Sequence, residues 1–300
     1  MTETPTPAQL RLLKGAEKVR LDDPFKAYMT RQFIQCTLPH RDPGDVPYWH
    51  RRNGNVVLMI QPGFDFAMGR PCGYPFGTLP RLLLFWIVTQ AKKKQSPIVQ
   101  LGNSLTEFLH LLDLDPTSRG KRSDGVRLRV QMERLFKARI SLTARTVNGD
   151  VIGDHFRDLS VVHQHEIFWH AKTVDQNALW SSWLQLNEGF YRAICENAVP
   201  ANMHALAALK QSPLALDLYA LLNYLTGTLK KPHVIAWRLL HGQMGSDFAT
   251  VDDFRRKTLA ALAKVRTVHP GLNVEQIRGG LRISPGTPAI APKDAIDSAN

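Results

Sequence analysis

The chain has 300 residues, 44% of them hydrophobic and 8% aromatic, which suffices for one large core or two ordinary domains and argues against disorder. The three cysteines are far apart and form no C-x-x-C pair, so neither a disulfide framework nor a thiolate zinc site is indicated. The net charge of +12 favours an acidic partner such as nucleic acid, and the longest apolar run, residues 82–88, is too short to span a bilayer. We expect a cytoplasmic protein of two domains.

Positive charge is concentrated in two stretches. Residues 119–145 contain nine Lys or Arg against two acidic residues, and residues 255–282 contain seven against one. Their combined excess is larger than that of the whole chain, so the remaining residues are nearly neutral. Two basic elements on a balanced protein predict binding of double-stranded DNA at two places.

In the first half of the chain, charge, proline and glycine in residues 1–52 predict a partly flexible lead-in with at most one short helix. The elements predicted after it are a buried strand at 56–60, a helix at 81–94, a strand at 98–101, a helix from a capping box at 104–107 to 112, and a helix at 126–137.

The helix at 126–137 is amphipathic. Its apolar face consists of Leu128, Met132, Leu135 and Phe136, and Arg127, Val130, Gln131 and Arg134 are predicted to lie opposite. A hairpin follows to about residue 162 through Asn148-Gly149, a pair that suits a type I′ turn. Three helices and a hairpin are the element order of a winged-helix domain.

The same order returns in the second half of the chain. Helices are predicted at 213–226, 235–244 and 251–268, followed by a hairpin at 272–283 through Gly279-Gly280. On the helix at 251–268, one face is predicted to be apolar (Val251, Phe254, Thr258, Ala261, Leu262 and Val265) and the opposite face to carry Arg256, Lys257, Ala260 and Lys264. We therefore predict an α+β, helix-rich fold with two winged-helix domains in tandem, the boundary lying in the polar segment 171–178. The expected divisions are a lead-in at 1–52, domains at 53–172 and 173–290, and a flexible tail at 291–300.

Two blocks of the sequence carry recognisable motifs. Residues 73–112 include Gly-Thr-Leu-Pro-Arg at 77–81 and Leu-Gly-Asn-Ser-Leu-Thr-Glu-Phe at 101–108, and residues 200–290 include Trp-Arg-Leu-Leu-His-Gly-Gln-Met-Gly at 237–245. In these motifs the chain resembles the plasmid-encoded RepA family of replication initiators. The resemblance implies a tandem winged-helix protein that binds repeated sites in double-stranded DNA at a plasmid origin and starts replication. With no ATP-binding motif in the sequence, a host initiator and a replicative helicase are expected partners. A homodimer is left open.

The predicted DNA-binding residues lie on the third helix and the hairpin of each domain. Arg127, Arg134 and Arg256 are suited to guanine edges, and lysines such as Lys257 and Lys264 are suited to phosphate. The full set is Arg127, Gln131, Arg134, Lys137, Arg139, Arg145, Arg255, Arg256, Lys257, Lys264, Arg278 and Arg282.

Two other functions remain as alternatives. A transcriptional repressor of the same fold would carry the same basic helices. A metal-dependent nickase would use His163 and His165, which share one face of a strand, with Tyr191 as nucleophile, but that motif favours an apolar residue where Gln164 stands. The simpler interpretation is that the two histidines are ordinary residues on the surface of a strand and that Tyr191 packs against neighbouring side chains. We expect no catalytic residue, metal or cofactor.

Overall fold

The computed structural model of the protein describes residues 5–22, 25–102, 123–148, 151–167, 182–245 and 247–290, together with 107, 109, 110, 112 and 114. Several predictions lie outside these residues: Ser104 of the capping box, Gly149 of the turn, the boundary at 171–178, the tail at 291–300, and Arg119, Lys121 and Arg122 of the first basic stretch. The described chain combines helices with small antiparallel sheets, which confirms the α+β class.

The described part of the chain contains nine helices and fourteen strands. The helices are α1 (Pro7–Leu21), α2 (Arg31–Gln35), α3 (Thr78–Lys94), α4 (Asp124–Lys137), α5 (Glu188–Asn197), α6 (Met203–Leu209), α7 (Pro213–Thr228), α8 (Trp237–Met244) and α9 (Val251–Val268). The strands are β1 (Lys26–Thr30), β2 (Trp49–Asn53), β3 (Val56–Gln61), β4 (Phe64–Asp65), β5 (Arg70–Pro71), β6 (Ile98–Gln100), β7 (Arg139–Asn148), β8 (Val151–Asp158), β9 (Val162–Glu166), β10 (Trp183–Leu186), β11 (Ala198–Asn202), β12 (His233–Ala236), β13 (Val274–Ile277) and β14 (Gly280–Ile283).

The chain divides into two compact units. One is Met29–Ala198, and the other joins Met1–Tyr28 to Val199–Asn300. These limits differ from the predicted divisions for two reasons. Helix α1 packs against α6 and α9 near the end of the chain, and residues 183–197 form β10, which pairs with β6 and β9, and α5, which packs against α3. None of the described helices combines the length and apolar character that crossing a bilayer requires.

The unit Met29–Ala198 is built around α3 and an antiparallel sheet of order β2-β3-β7-β8. Leu58 pairs with Leu142 and Ile60 with Ile140, which places the predicted strand at 56–60 in the middle of this sheet. Helix α3 packs against α4 and α5, and its apolar run at 82–88 is completely buried.

Arg81 fixes the beginning of α3. It is buried, and its guanidinium donates hydrogen bonds to the carbonyls of Leu38 (2.5 Å), Pro39 (2.9 Å) and Gly77 (2.6 Å). Gly77 precedes the helix at a φ of 79°, a conformation that costs glycine little. The Gly-Thr-Leu-Pro-Arg motif therefore joins the start of α3 to the chain segment at 38–39.

The other unit contains α1, which is longer and better defined than the lead-in predicted from sequence. The hydroxyl of Thr6 accepts from the Gln9 amide, and the Gln9 side chain accepts from the Thr6 amide, which forms a capping box ahead of Pro7. At Gly15 an added Cβ would lie 2.3 Å from that of Ala208, so glycine lets α1 lie close to α6.

The remaining elements of this unit follow the order α7, β12, α8, α9, β13, β14. Helix α7 is buried along most of its length, and the sheet has the order β12-β14-β13. The helix predicted at 235–244 begins at Trp237 instead, because residues 233–236 pair with β14 as a third strand.

Candidate nucleic-acid interface

Helix α9 has one buried face and one basic face. The Thr250 hydroxyl caps its N-terminus by accepting from the Asp253 amide at 3.1 Å. The buried side chains recur at helical spacing: Phe254, Thr258, Ala261, Leu262 and Val265. This agrees with the sequence prediction except at Val251, which is only half-buried.

The basic face of α9 is exposed over its length. Arg255 lies 3.8 Å from Asp252 and Arg256 lies 2.6 Å from Asp253, and both acidic residues lie just before the basic stretch 255–282. Lys257 and Lys264 are exposed and form no ion pair within the described part of the chain. Exposed Ala260, between the two lysines, leaves room for a partner to approach.

The hairpin β13–β14 follows α9 and carries two more of the predicted residues. Its turn is Arg278-Gly279, with Gly279 at a φ of 88°, and Arg278 is exposed there. Arg282 lies 3.5 Å from Glu275 on the opposite strand. Arg266 of α9 donates to the Val274 carbonyl, so the helix and the hairpin are joined directly.

Arg238 is a candidate that sequence reasoning missed. The Trp237 amide donates to the Gly279 carbonyl at 2.9 Å, so exposed Arg238 follows directly on a residue held at the hairpin turn that carries Arg278. The sequence evidence for Arg238 as a DNA-binding residue was weak, because a single arginine at the start of a helix is usually only exposed to solvent.

Helix α4 presents fewer of its predicted residues to solvent than α9 does. Leu128, Met132, Leu135 and Phe136 are buried as predicted. Gln131 was predicted on the opposite face and this was wrong: only 7% of it is exposed, and its side-chain oxygen accepts from the Phe76 amide at 3.0 Å.

Arg134 likewise packs against residues of its own unit. Its guanidinium donates to Asp42 (3.1 Å) and to the Tyr74 carbonyl (3.2 Å), and it lies over the ring of Phe76. Gly73 lies close to the same group, because a Cβ there would be 3.1 Å from the guanidinium. Gln131 and Arg134 therefore hold the segment before α3, and we leave both out of the interface.

The other predicted cations of this unit are exposed. Arg127 lies 3.3 Å from Asp124, and Lys137 lies 2.8 Å from Glu133, a hydrogen bond that raises the pKa of Lys137. Arg139 and Arg145 are exposed on β7. The cations here are spread over α4 and β7, whereas those of the other unit are concentrated on α9 and its hairpin.

The residues of the nickase alternative lie on β9 and α5. His165 packs against Phe136 at a ring distance of 6.0 Å, and burial lowers its pKa. On α5, Phe190 and Ile194 are fully buried, and Tyr191 between them is half-buried. Within the described residues, His, Cys, Asp and Glu side chains nowhere group in threes as a metal site requires.

A protein-family model described as "Plasmid encoded RepA protein" matches residues 74–238, more than half of the chain. The chain belongs to this family. The match covers the segment held by Gln131 and Arg134, all of α3 and α4, and the start of α8, where Arg238 is the last matched residue. No curated protein matches this RepA-family chain in sequence.

Two crystal structures are similar to the RepA-family chain in fold. One, of domain 2 and domain 3 of RctB as selenomethionine derivatives, has a TM-score of 0.52 at 10% identity and covers 92% of this chain and 99% of that one. The other, of RctB domains 2-3, has a TM-score of 0.49 at 11% identity and covers 84% and 96%. At this identity the likeness concerns the fold alone.

Proposed function

We propose that this protein initiates plasmid replication by binding repeated sites in double-stranded DNA at the origin. Membership of the plasmid-encoded RepA family supports the initiator role. The observation that carries the DNA-binding proposal is the exposed basic face of α9, which continues into a hairpin bearing Arg278. The role is one of binding without catalysis, in which a host initiator and helicase supply the later steps.

The element order around α9 supports a winged-helix reading. In such a domain the third helix enters the major groove, and the hairpin contacts neighbouring backbone. Here α9 is the third helix after α7 and α8, and β13–β14 is the hairpin. The three-stranded sheet β12-β14-β13 joins the hairpin to the strand before α8, so the hairpin has a fixed base.

Glycine at position 280 is required for that base. A Cβ there would lie 2.2 Å from the Ile235 carbonyl oxygen on β12, closer than any side chain tolerates. Gly279 is favoured for a different reason: a Cβ there would meet no neighbouring atom, but its φ is positive, a conformation that side-chain-bearing residues rarely adopt. The two glycines together set the turn that presents Arg278.

The ion pairs on α9 do not prevent base contact. An exposed pair such as Arg256–Asp253 contributes about 0–1 kcal/mol, whereas a bidentate contact with guanine contributes about 1–3 kcal/mol. Arg256 therefore gains by exchanging Asp253 for a base edge. Lys257 and Lys264 form no described ion pair that would have to break.

Arg256 and Lys264 are predicted to contact different parts of the DNA, a base edge and a phosphate respectively. We expect Arg256→Ala to cost about 1–3 kcal/mol on the origin site and little on random DNA, because only the origin site offers the matching base. Lys264→Ala should weaken binding to both DNAs alike, because phosphate is present in each. Fluorescence anisotropy with two labelled duplexes measures both effects.

Lys18→Ala is the control, since Lys18 is an exposed lysine on α1 in the same unit. It should leave both affinities unchanged. Equal losses on both DNAs for Arg256→Ala would reduce Arg256 to a phosphate contact, and no loss for either variant would remove α9 from the interface.

A further inference from the structure

The hairpin β4–β5 presents an apolar tip to solvent. Its strands have two residues each, with Phe64 paired to Pro71 and Asp65 to Arg70. Phe66 at the tip is 90% exposed and Met68 is 67% exposed, while Phe64 contacts the Phe66 ring at 5.2 Å. Exposed phenylalanine at a loop tip is costly in water, which points to a partner.

Hydrogen bonds hold the backbone of the tip. The Asp65 carboxylate accepts from the amides of Ala67 (3.0 Å) and Met68 (3.2 Å), and Gly69 completes the turn at a φ of 62°. A fixed tip loses little conformational entropy when it inserts into a partner.

The hairpin is anchored at the end of the basic helix α4. An added Cβ at Gly63 would lie 2.4 Å from both the Cβ and the carbonyl oxygen of Lys137, and the Cys72 amide donates to the Gly63 carbonyl at 2.8 Å. The strand that leads into the hairpin pairs with β7, where Gln61 is opposite Arg139.

The charged groups near this apolar tip are mixed in sign, with one more positive than negative. Lys137 and Arg139 lie at its base, and Arg70 is exposed on β5. Two acidic groups are also near: the Asp65 carboxylate accepts from the turn, and Glu133 pairs with Lys137, which leaves exposed Arg70 and Arg139 as the cations available to phosphate. An apolar tip with two such cations beside it is complementary to a DNA duplex, in which phosphates flank stacked bases.

We infer that Phe66 is a wedge that inserts between base pairs when α4 and β7 bind DNA. The apolar tip is small for the core of a stable protein interface: Phe64, Phe66 and Met68 together expose about 400 Å², about half of the roughly 800 Å² that each partner buries in such interfaces. A single step between base pairs takes one aromatic side chain. The wedge rests on the proposed DNA binding and adds a role in distorting the origin.

The test uses the intact chain and duplexes from the region upstream of its gene, with 2-aminopurine placed in turn at each position. Wild-type protein should raise the fluorescence at one step and bend the duplex by about 20–90°. Phe66→Ala should abolish the fluorescence rise, reduce the bend below about 20° and lower affinity about 10-fold. Phe66→Leu should retain the bend, since leucine also serves as a wedge.

Tyr48→Ala is the matched control, because Tyr48 is an aromatic residue of the same unit that is 52% exposed and lies outside α4, β7 and β8. It should behave as wild type. Duplex binding by wild-type protein without unstacking or bending would overturn the wedge and leave the proposed function intact, and so would an unchanged signal for Phe66→Ala. Loss of binding to purified replicative helicase with unchanged DNA distortion would assign the tip to a protein partner instead. No duplex binding by the wild type would overturn the proposed function itself.

Discussion

Raising the salt concentration from 50 to 200 mM should weaken binding of the origin duplex by about 10⁴-fold. If about eight cations contact phosphate, the slope of log K against log salt is about −7, since each contact releases condensed counterions. Ten predicted cations remain in the interface once Gln131 and Arg134 are left out, so eight contacts need most of them. Anisotropy titrations across the salt range give the slope.

The triple variant Lys257→Ala, Lys264→Ala, Arg278→Ala removes three cations that form no ion pair within the described residues. Its slope should be shallower than that of wild type by about 3. A wild-type slope shallower than about −3 would show that these basic surfaces are not where the duplex binds.

Arg81→Met should destabilise the unit Met29–Ala198 by about 3–5 kcal/mol. The substitution removes the donors to three carbonyls, at least two of them in buried surroundings, and each buried acceptor left unpaired costs about 1–3 kcal/mol. Urea unfolding followed by circular dichroism measures the loss.

Arg157→Met is the control for Arg81→Met, since Arg157 is exposed on β8. It should change stability by less than about 0.5 kcal/mol. An equally small effect at Arg81 would mean that its three hydrogen bonds do not hold the start of α3.

Periodicity predicted the faces of α9 well because the residues on its basic face are either charged (Arg256, Lys257 and Lys264) or small (Ala260), and all four are exposed. The same reasoning failed on α4, where Gln131 is polar and yet buried. Its spacing of three residues from Leu128 and four from Leu135 places Gln131 beside the apolar face, so its polarity led to the wrong assignment, and its partner is the Phe76 amide. Arg134 shows the same limit, because its acceptors lie 60 and 92 residues away in sequence.

Other features of the fold were not predicted because their sequence patterns are too short for periodicity to detect. The sequence signal for α1 was a capping sequence, Thr6, Pro7 and Gln9, ahead of a weakly amphipathic segment. The hairpin β4–β5 has strands of two residues, which have no period at all. Asp252 and Asp253 lie just before the basic stretch 255–282, so part of the positive charge of α9 is balanced by carboxylates on the same helix.

We expect both basic helices to bind the same double-stranded DNA, and hydroxyl-radical footprinting on the region upstream of the gene tests this. We predict that the intact chain protects two segments about one helical turn apart. Lys257→Ala with Lys264→Ala should remove one of them, and Arg127→Ala with Lys137→Ala the other. A footprint that neither double variant changes would show that neither α9 nor α4 binds this DNA.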